Sequence, residues 1–96
     1  MLFVVHCVDA KGVDALRNEH LKTHKDYLIG QKHVLVVGGA LTDGADGPIG
    51  SLYIVNVADR QAAEAFSNND PFTSAGVFGK VTITAMRKSH WNPASA

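Results

Sequence analysis

His24 and Asp70, far apart along the chain, are of the types from which a proton-transferring pair is built. Asp70 opens the run Asp70-Pro71-Phe72-Thr73-Ser74-Ala75-Gly76-Val77-Phe78. Proline fixes φ at the start of a helical turn and leaves the preceding carboxylate free to accept hydrogen bonds. Asp70 is then held where it can cap the turn or take part in catalysis; capping is the more ordinary role for an Asp in that place. His24 carries an imidazole, which titrates near neutral pH and can both take and return a proton. Its ordinary alternative is a core histidine bonded to a backbone carbonyl.

The spacing around His24 predicts a helix from about Val13 to Leu28, with Gly30 closing it in a left-handed conformation. On a wheel of about 100° per residue, Val13, Leu16, Tyr27 and Leu28 mark an apolar arc. Asp14, Asn18, Glu19, Lys22, Lys25 and Asp26 fall opposite, while Arg17, His20 and His24 land inside the arc. Ionisable groups in a buried stripe cost free energy unless they are paired or line a cavity, so a pocket under this helix is expected. Arg17 can clamp an anionic substrate in bidentate fashion or pair with an acid at a dimer edge. His20 and His24 have the i,i+4 spacing of a metal pair. The residues between them are Leu21, Lys22 and Thr23, so the Glu of a zincin motif is missing and no metal is expected. Asp9 and Ser51, each at the end of a strand, are placed to line the same pocket. Cys7 lies mid-strand with no base beside it in sequence and reads as an inert buried thiol.

The elements that position these residues follow from periodicity. Leu2 to Val8 is a short β-branched and aromatic run, and His33 to Leu41 is strand-like again. Asp43-Gly44 and Asp46-Gly47-Pro48 mark a chain reversal. Ser51 to Val57 gives a third strand, Asp59 is an N-cap for a helix through Ala62 to Phe66, and Lys80 to Lys88 alternates as a fourth strand. The order βαββαβ is the α+β, ferredoxin-like arrangement, an antiparallel sheet with both helices on one face. Strands apolar on both sides leave the other face in need of cover, and a second copy packed sheet to sheet supplies it. Residues 1–88 are read as one domain and 89–96 as a C-terminal tail that docks through His90 and Trp91.

Composition bounds the partners. The 96 residues, 46% hydrophobic and 19% charged, suit one domain with a thin core. Nine basic and nine acidic residues balance, so there is no electrostatic footprint for nucleic acid or an anionic membrane. A single cysteine excludes an internal disulfide framework. The opening Met1-Leu2-Phe3-Val4-Val5 lacks a basic flank and is interrupted by His6, which argues against a signal peptide or a membrane span. A cytoplasmic setting is expected. The glycines from Gly38 to Gly50 lack the spacing of a phosphate loop or a dinucleotide fingerprint and serve turns.

With these residues assembled, residues 1 to about 88 resemble the YCII-related family of small dimeric α+β proteins. The resemblance is carried by the strand ending Cys7-Val8-Asp9, the helix with Arg17, His24, Tyr27 and Leu28, Gly38-Gly39, Gly50-Ser51, Asp70-Pro71-Phe72 and Gly76-Val77-Phe78. It implies a dimeric α/β barrel of ferredoxin-like subunits, with a His-Asp pair mapped onto His24 and Asp70. Arg17, His20, Asp9, Ser51 and Phe72 are then the substrate-binding candidates. Members include a dehydrochlorinase of chlorinated hydroxyhydroquinones, and muconolactone isomerase shares the architecture. The resemblance therefore implies a cofactor-free lyase or isomerase acting on a small hydroxylated aromatic or lactone. A non-enzymatic ligand-binding or accessory dimer is the alternative. Where the family often has Arg-Pro before the helix histidine and Gly-Pro after the second strand, this chain has Lys22-Thr23 and Gly39-Ala40.

Overall fold

The computed structural model describes residues 1–45 and 47–96. Strand β1 (Leu2–Asp9) leads into helix α1 (Asp14–Gly30), followed by β2 (Leu35–Thr42), β3 (Pro48–Asn56), α2 (Arg60–Asn68), α3 (Pro71–Ala75) and β4 (Phe78–Met86), with a final 3₁₀ turn at Pro93–Ser95. The strands form one open antiparallel sheet in the order β2-β3-β1-β4. This is the expected ferredoxin-like α+β arrangement. A single chain does not close the sheet into a barrel.

Alternation along β1 decides which face is the core. Phe3, Val5 and Cys7 point toward the helices and are buried. Their register partners Val55, Tyr53 and Ser51 on β3 carry the same face across the sheet, and Ala85, Ile83 and Val81 continue it on β4. Ala63 and Phe66 of α2 close this core from above. Burial of each large side chain stabilises the fold by about 1.5–3 kcal/mol. A second cluster of Val13, Phe72 and Val77 joins the start of α1 to α3.

Local signals explain the helix ends. Asp59 caps α2 by accepting from the Ala62 N–H at 2.9 Å. Gly76 closes α3 with φ 84° and donates its N–H back to Phe72 and Thr73, a conformation that favours glycine. The expected left-handed Gly30 is not found. Gly12, Gly44 and Gly76 are the glycines with positive φ among the described residues. Helix α1 runs on through Gly30, and the Gln31 N–H bonds the Leu28 carbonyl. The Gln31 carbonyl then accepts from Val34 and Leu35, so a short turn does the work assigned to a glycine cap. That turn also moves the start of β2 from His33 to Leu35. Strand β3 starts at Pro48, three residues ahead of the expected Ser51. The Asp43-Gly44 reversal is present, with the Asp43 N–H on the Gly47 carbonyl; Asp46 lies outside the described residues.

The other face of the sheet carries Leu2, Val4, His6 and Val8 from β1 beside Leu52 and Ile54 from β3. No helix covers it. The tail from Arg87 to Trp91 turns over one end of this face, bounding a cleft of about 450 Å³ with Leu2, Val36, Ile54 and Met86. Trp91 remains 56% exposed there, with Lys88 Nζ 5.7 Å from its ring centre. Among the described residues, no helix is long and apolar enough to cross a membrane.

Candidate active site

Arg17 and His24 lie seven residues apart on α1, two helical turns, so they differ in direction by only about 20°. Both point to the sheet and are buried. His20 is turned about 60° away from Arg17. It sits half-exposed on the rim, with Nε2 3.7 Å from the Glu19 carboxylate. The structure therefore does not bring His20 to the other candidates. A wheel arc wide enough to include it was wider than the face that α1 buries.

Asp70 is both cap and partner. Its Oδ1 accepts the Phe72 N–H at 2.9 Å, starting α3 with Pro71 behind it. The same oxygen lies 2.7 Å from His24 Nδ1. A carboxylate only accepts, so Nδ1 carries the proton and Nε2 of the neutral ring is left as an acceptor. Nε2 is 3.2 Å from the Tyr53 hydroxyl, which donates to it. Phe72 stacks flat on the imidazole at 3.8 Å between ring centres, with 5° between the planes. The ring is thus held at both nitrogens and across one face.

Arg17 organises the neighbouring half of the site. Its Nε donates to Asp9 Oδ2 at 2.6 Å and its Nη2 to Asp9 Oδ1 at 3.3 Å. Nη2 also donates to the Gly50 carbonyl at 3.0 Å and to Ser51 Oγ at 3.1 Å. The guanidinium lies over the Phe72 ring, 5.0 Å from its centre. Phe72 is thus sandwiched between Arg17 and His24, and it is 0% exposed. With no face of it open to solvent, Phe72 serves as the platform on which the imidazole lies. Asp9 is likewise engaged with Arg17, whereas Ser51 borders open space.

That space is a cleft of about 210 Å³ between α1 and the β2 edge, reached past Leu21, Lys25 and Leu28 and floored by His24, Ser51 and Tyr53. A second hollow of about 400 Å³ adjoins it through Arg17, Leu21 and Ala40. The cleft exists because β2 presents Gly38 and Ala40 on its inner face, opposite Tyr53 and Ser51, where larger residues would fill it. Gly38 has a further role. A Cβ there would stand 2.4 Å from Tyr53 Cδ1, so the tyrosine ring lies directly against the bare strand.

Burial sets the protonation of the groups around the pair. The Cys7 thiol is pushed up to about 12, chiefly by burial and next by the negative charge of Asp70, which fits its reading as inert. Burial also raises the Tyr53 phenol well above its usual range, while a hydrogen bond from Ser51 works the other way. Tyr27 is raised by burial too, and its hydroxyl donates to the Phe66 carbonyl at 2.8 Å.

Of the residues singled out from sequence, Asp9, Arg17, His24, Ser51, Asp70 and Phe72 come together, and His20 does not. Tyr53 was missed. Its only sequence signal is that it follows Ser51 by two, which places both side chains on one face of a strand. A model of the YCII-related domain matches residues 1–87. The fold is also similar to the solved structure of 5-chloro-2-hydroxyhydroquinone dehydrochlorinase from Burkholderia phenoliruptrix AC1100 in complex with 2,5-dihydroxybenzoquinone. That similarity has a TM-score of 0.82 and 29% sequence identity, and covers 91% of this chain and 94% of the other. No curated protein matches the chain.

Proposed function

The chain belongs to the YCII-related domain family, and from that premise we propose that it is a cofactor-independent acid–base enzyme, a lyase of the dehydrochlorinase kind or an isomerase. Its substrate would be a small hydroxylated ring, chlorinated in the lyase case. One observation carries the proposal: the His24 imidazole, with Nδ1 2.7 Å from the buried Asp70 carboxylate, lines an open cleft. Asp70 fixes the tautomer and stabilises the imidazolium that forms when Nε2 takes a proton. The bound 2,5-dihydroxybenzoquinone of the structural neighbour supports a flat, oxygenated ring as occupant.

The chemistry balances without an oxidant. His24 takes a proton from a ring hydroxyl and returns it to the carbon bearing chlorine, giving a keto tautomer and leaving the imidazole neutral again. A second hydroxyl proton then leaves to the base as the C–Cl bond breaks, and chloride departs with the bonding pair. The net change is loss of HCl and formation of a quinone. In the isomerase version, the same base moves a proton from one ring position to another. General acid–base catalysis contributes about 10²–10⁴-fold, enough for a ring already prone to tautomerise. Ser51 and Arg17 border the cleft and would orient the substrate oxygens. A homodimer joined through the open sheet face is part of this proposal.

The test is turnover on a panel of plain and chlorinated hydroxyhydroquinones and muconolactones, followed by ring absorbance. Wild type is expected to turn over at least one of them. His24→Ala and Asp70→Asn are each expected to lose activity by about 10²-fold or more. Saturable binding with no product on every compound would replace the enzyme with a ligand-binding module.

A further inference from the structure

His24 is buried, and its ring is approached from few directions. Nδ1 is occupied by Asp70 and Nε2 by the Tyr53 hydroxyl, and Phe72 covers one face at 3.8 Å. A substrate proton can reach Nε2 in two ways. The substrate hydroxyl can push Tyr53 aside, or the proton can pass through Tyr53.

The packing of Tyr53 decides between them. The ring is 2% exposed. One side lies against the Gly38 backbone, so close that a Cβ at Gly38 would stand 2.4 Å from Cδ1 and 3.1 Å from Cε1. Phe66 meets the ring edge-on at 5.6 Å between centres. A ring packed between these neighbours swings aside only by giving up both contacts, so displacement by substrate is the costlier route. Its position nevertheless borders the cleft, together with Ser51 and His24.

Building on the acid–base reading of this same site, we infer that the Tyr53 hydroxyl relays protons between a hydroxyl of the bound substrate and Nε2 of His24. As the substrate O–H bond breaks, its proton bonds to Tyr53 Oη. The original Tyr53 O–H bond breaks at the same time, and that proton bonds to Nε2. Tyr53 begins and ends as a neutral phenol. His24 ends as an imidazolium facing Asp70, and the reverse passage delivers a proton to the ring. Burial, which holds the phenol well above its usual range, disfavours a resting phenolate and so favours the concerted exchange. The relay also narrows the substrate: it must present a hydroxyl to Tyr53, which a hydroxylated ring does and a lactone lacking one does not.

The test compares wild type with Tyr53→Phe, which removes one oxygen and keeps the ring that packs on Gly38, using 5-chloro-2-hydroxyhydroquinone as probe. The relay requires kcat to fall by about 10²-fold or more with KM nearly unchanged. It also requires a rate in H₂O/D₂O mixtures that curves with deuterium fraction in wild type and becomes linear in the variant. Tyr53→Phe turning over at the wild-type rate or faster overturns it, because a merely displaced hydroxyl is better removed. Should wild type itself be inert, the acid–base reading fails first, and the relay is judged on the free protein by the ¹⁵N resonances of His24. An unprotonated, hydrogen-bonded Nε2 that shifts toward the free-imine position in Tyr53→Phe supports it. A proton resting on Nε2, or no shift in the variant, overturns it.

Discussion

Asp70 and His24 were legible in the sequence for different reasons. Asp-Pro is a local signal, and the cap it announces is present, with the Phe72 N–H on the Asp70 carboxylate. His24 stood out because an ionisable group in an apolar arc needs a partner. Tyr53 carried no such signal. A tyrosine on the inner face of a strand reads as core, and only the seating of α1 over β3 brings its hydroxyl to Nε2. Cys7 gives a direct check on the environment at this scale. With its thiol pushed up to about 12, only about one part in 10⁴ is thiolate at pH 8. Native protein is expected to resist iodoacetamide there and to react once unfolded in urea; rapid labelling of the folded protein would contradict the burial. Linkage fixes the sign of the pH effect. A pKa raised on folding stabilises the fold fully below the unfolded value, 9.0 for this thiol, and that contribution is lost as pH rises from there toward about 12. Urea midpoints are expected to fall over this interval, and less steeply in Cys7→Ala.

Between elements, the Arg17–Asp9 pair does the joining. Arg17 leaves α1 to meet Asp9 at the end of β1 and Gly50 and Ser51 on β3, and both charged side chains are only 8% exposed. Removing one member of a buried pair strands the other and costs about 3–5 kcal/mol. Arg17→Leu is expected to lower urea stability by that amount, with Arg17→Leu/Asp9→Leu recovering part of it. Equal stability of Arg17→Leu and wild type would mean that the guanidinium faces solvent and serves substrate alone. The elements themselves were read well where a short local signal sets them, as at Asp59; the fourth strand alternates as expected but runs Phe78–Met86, two residues ahead of the expected Lys80 to Lys88. Gly30 was misjudged because three successive backbone bonds around Gln31 satisfy the end of α1. No residue type announces a turn made wholly by the main chain.

Across the whole molecule, the sheet is covered on one side only. Leu2, Val4 and Ile54 sit on the bare face, and Val36, Val37 and Met86 are among the exposed large apolar residues. A contiguous apolar face of this kind marks an interaction surface. A homodimer packed through it is expected to sediment as such at micromolar concentration, and a charged replacement such as Ile54→Lys is expected to shift it to monomer. A wild-type monomer under those conditions would remove the dimer. Sequence alternation could announce that two faces are apolar, but it contains nothing about what fills the second. The catalytic proposal stands apart from that question, since every residue of the candidate site comes from one chain. Chloride release from 5-chloro-2-hydroxyhydroquinone, measured for wild type and His24→Ala, tests that proposal most directly. Wild type is expected to release chloride in step with quinone formation, and His24→Ala to be slower by about 10²-fold or more; chloride release by His24→Ala at the wild-type rate would remove His24, and with it the pair, from the chemistry.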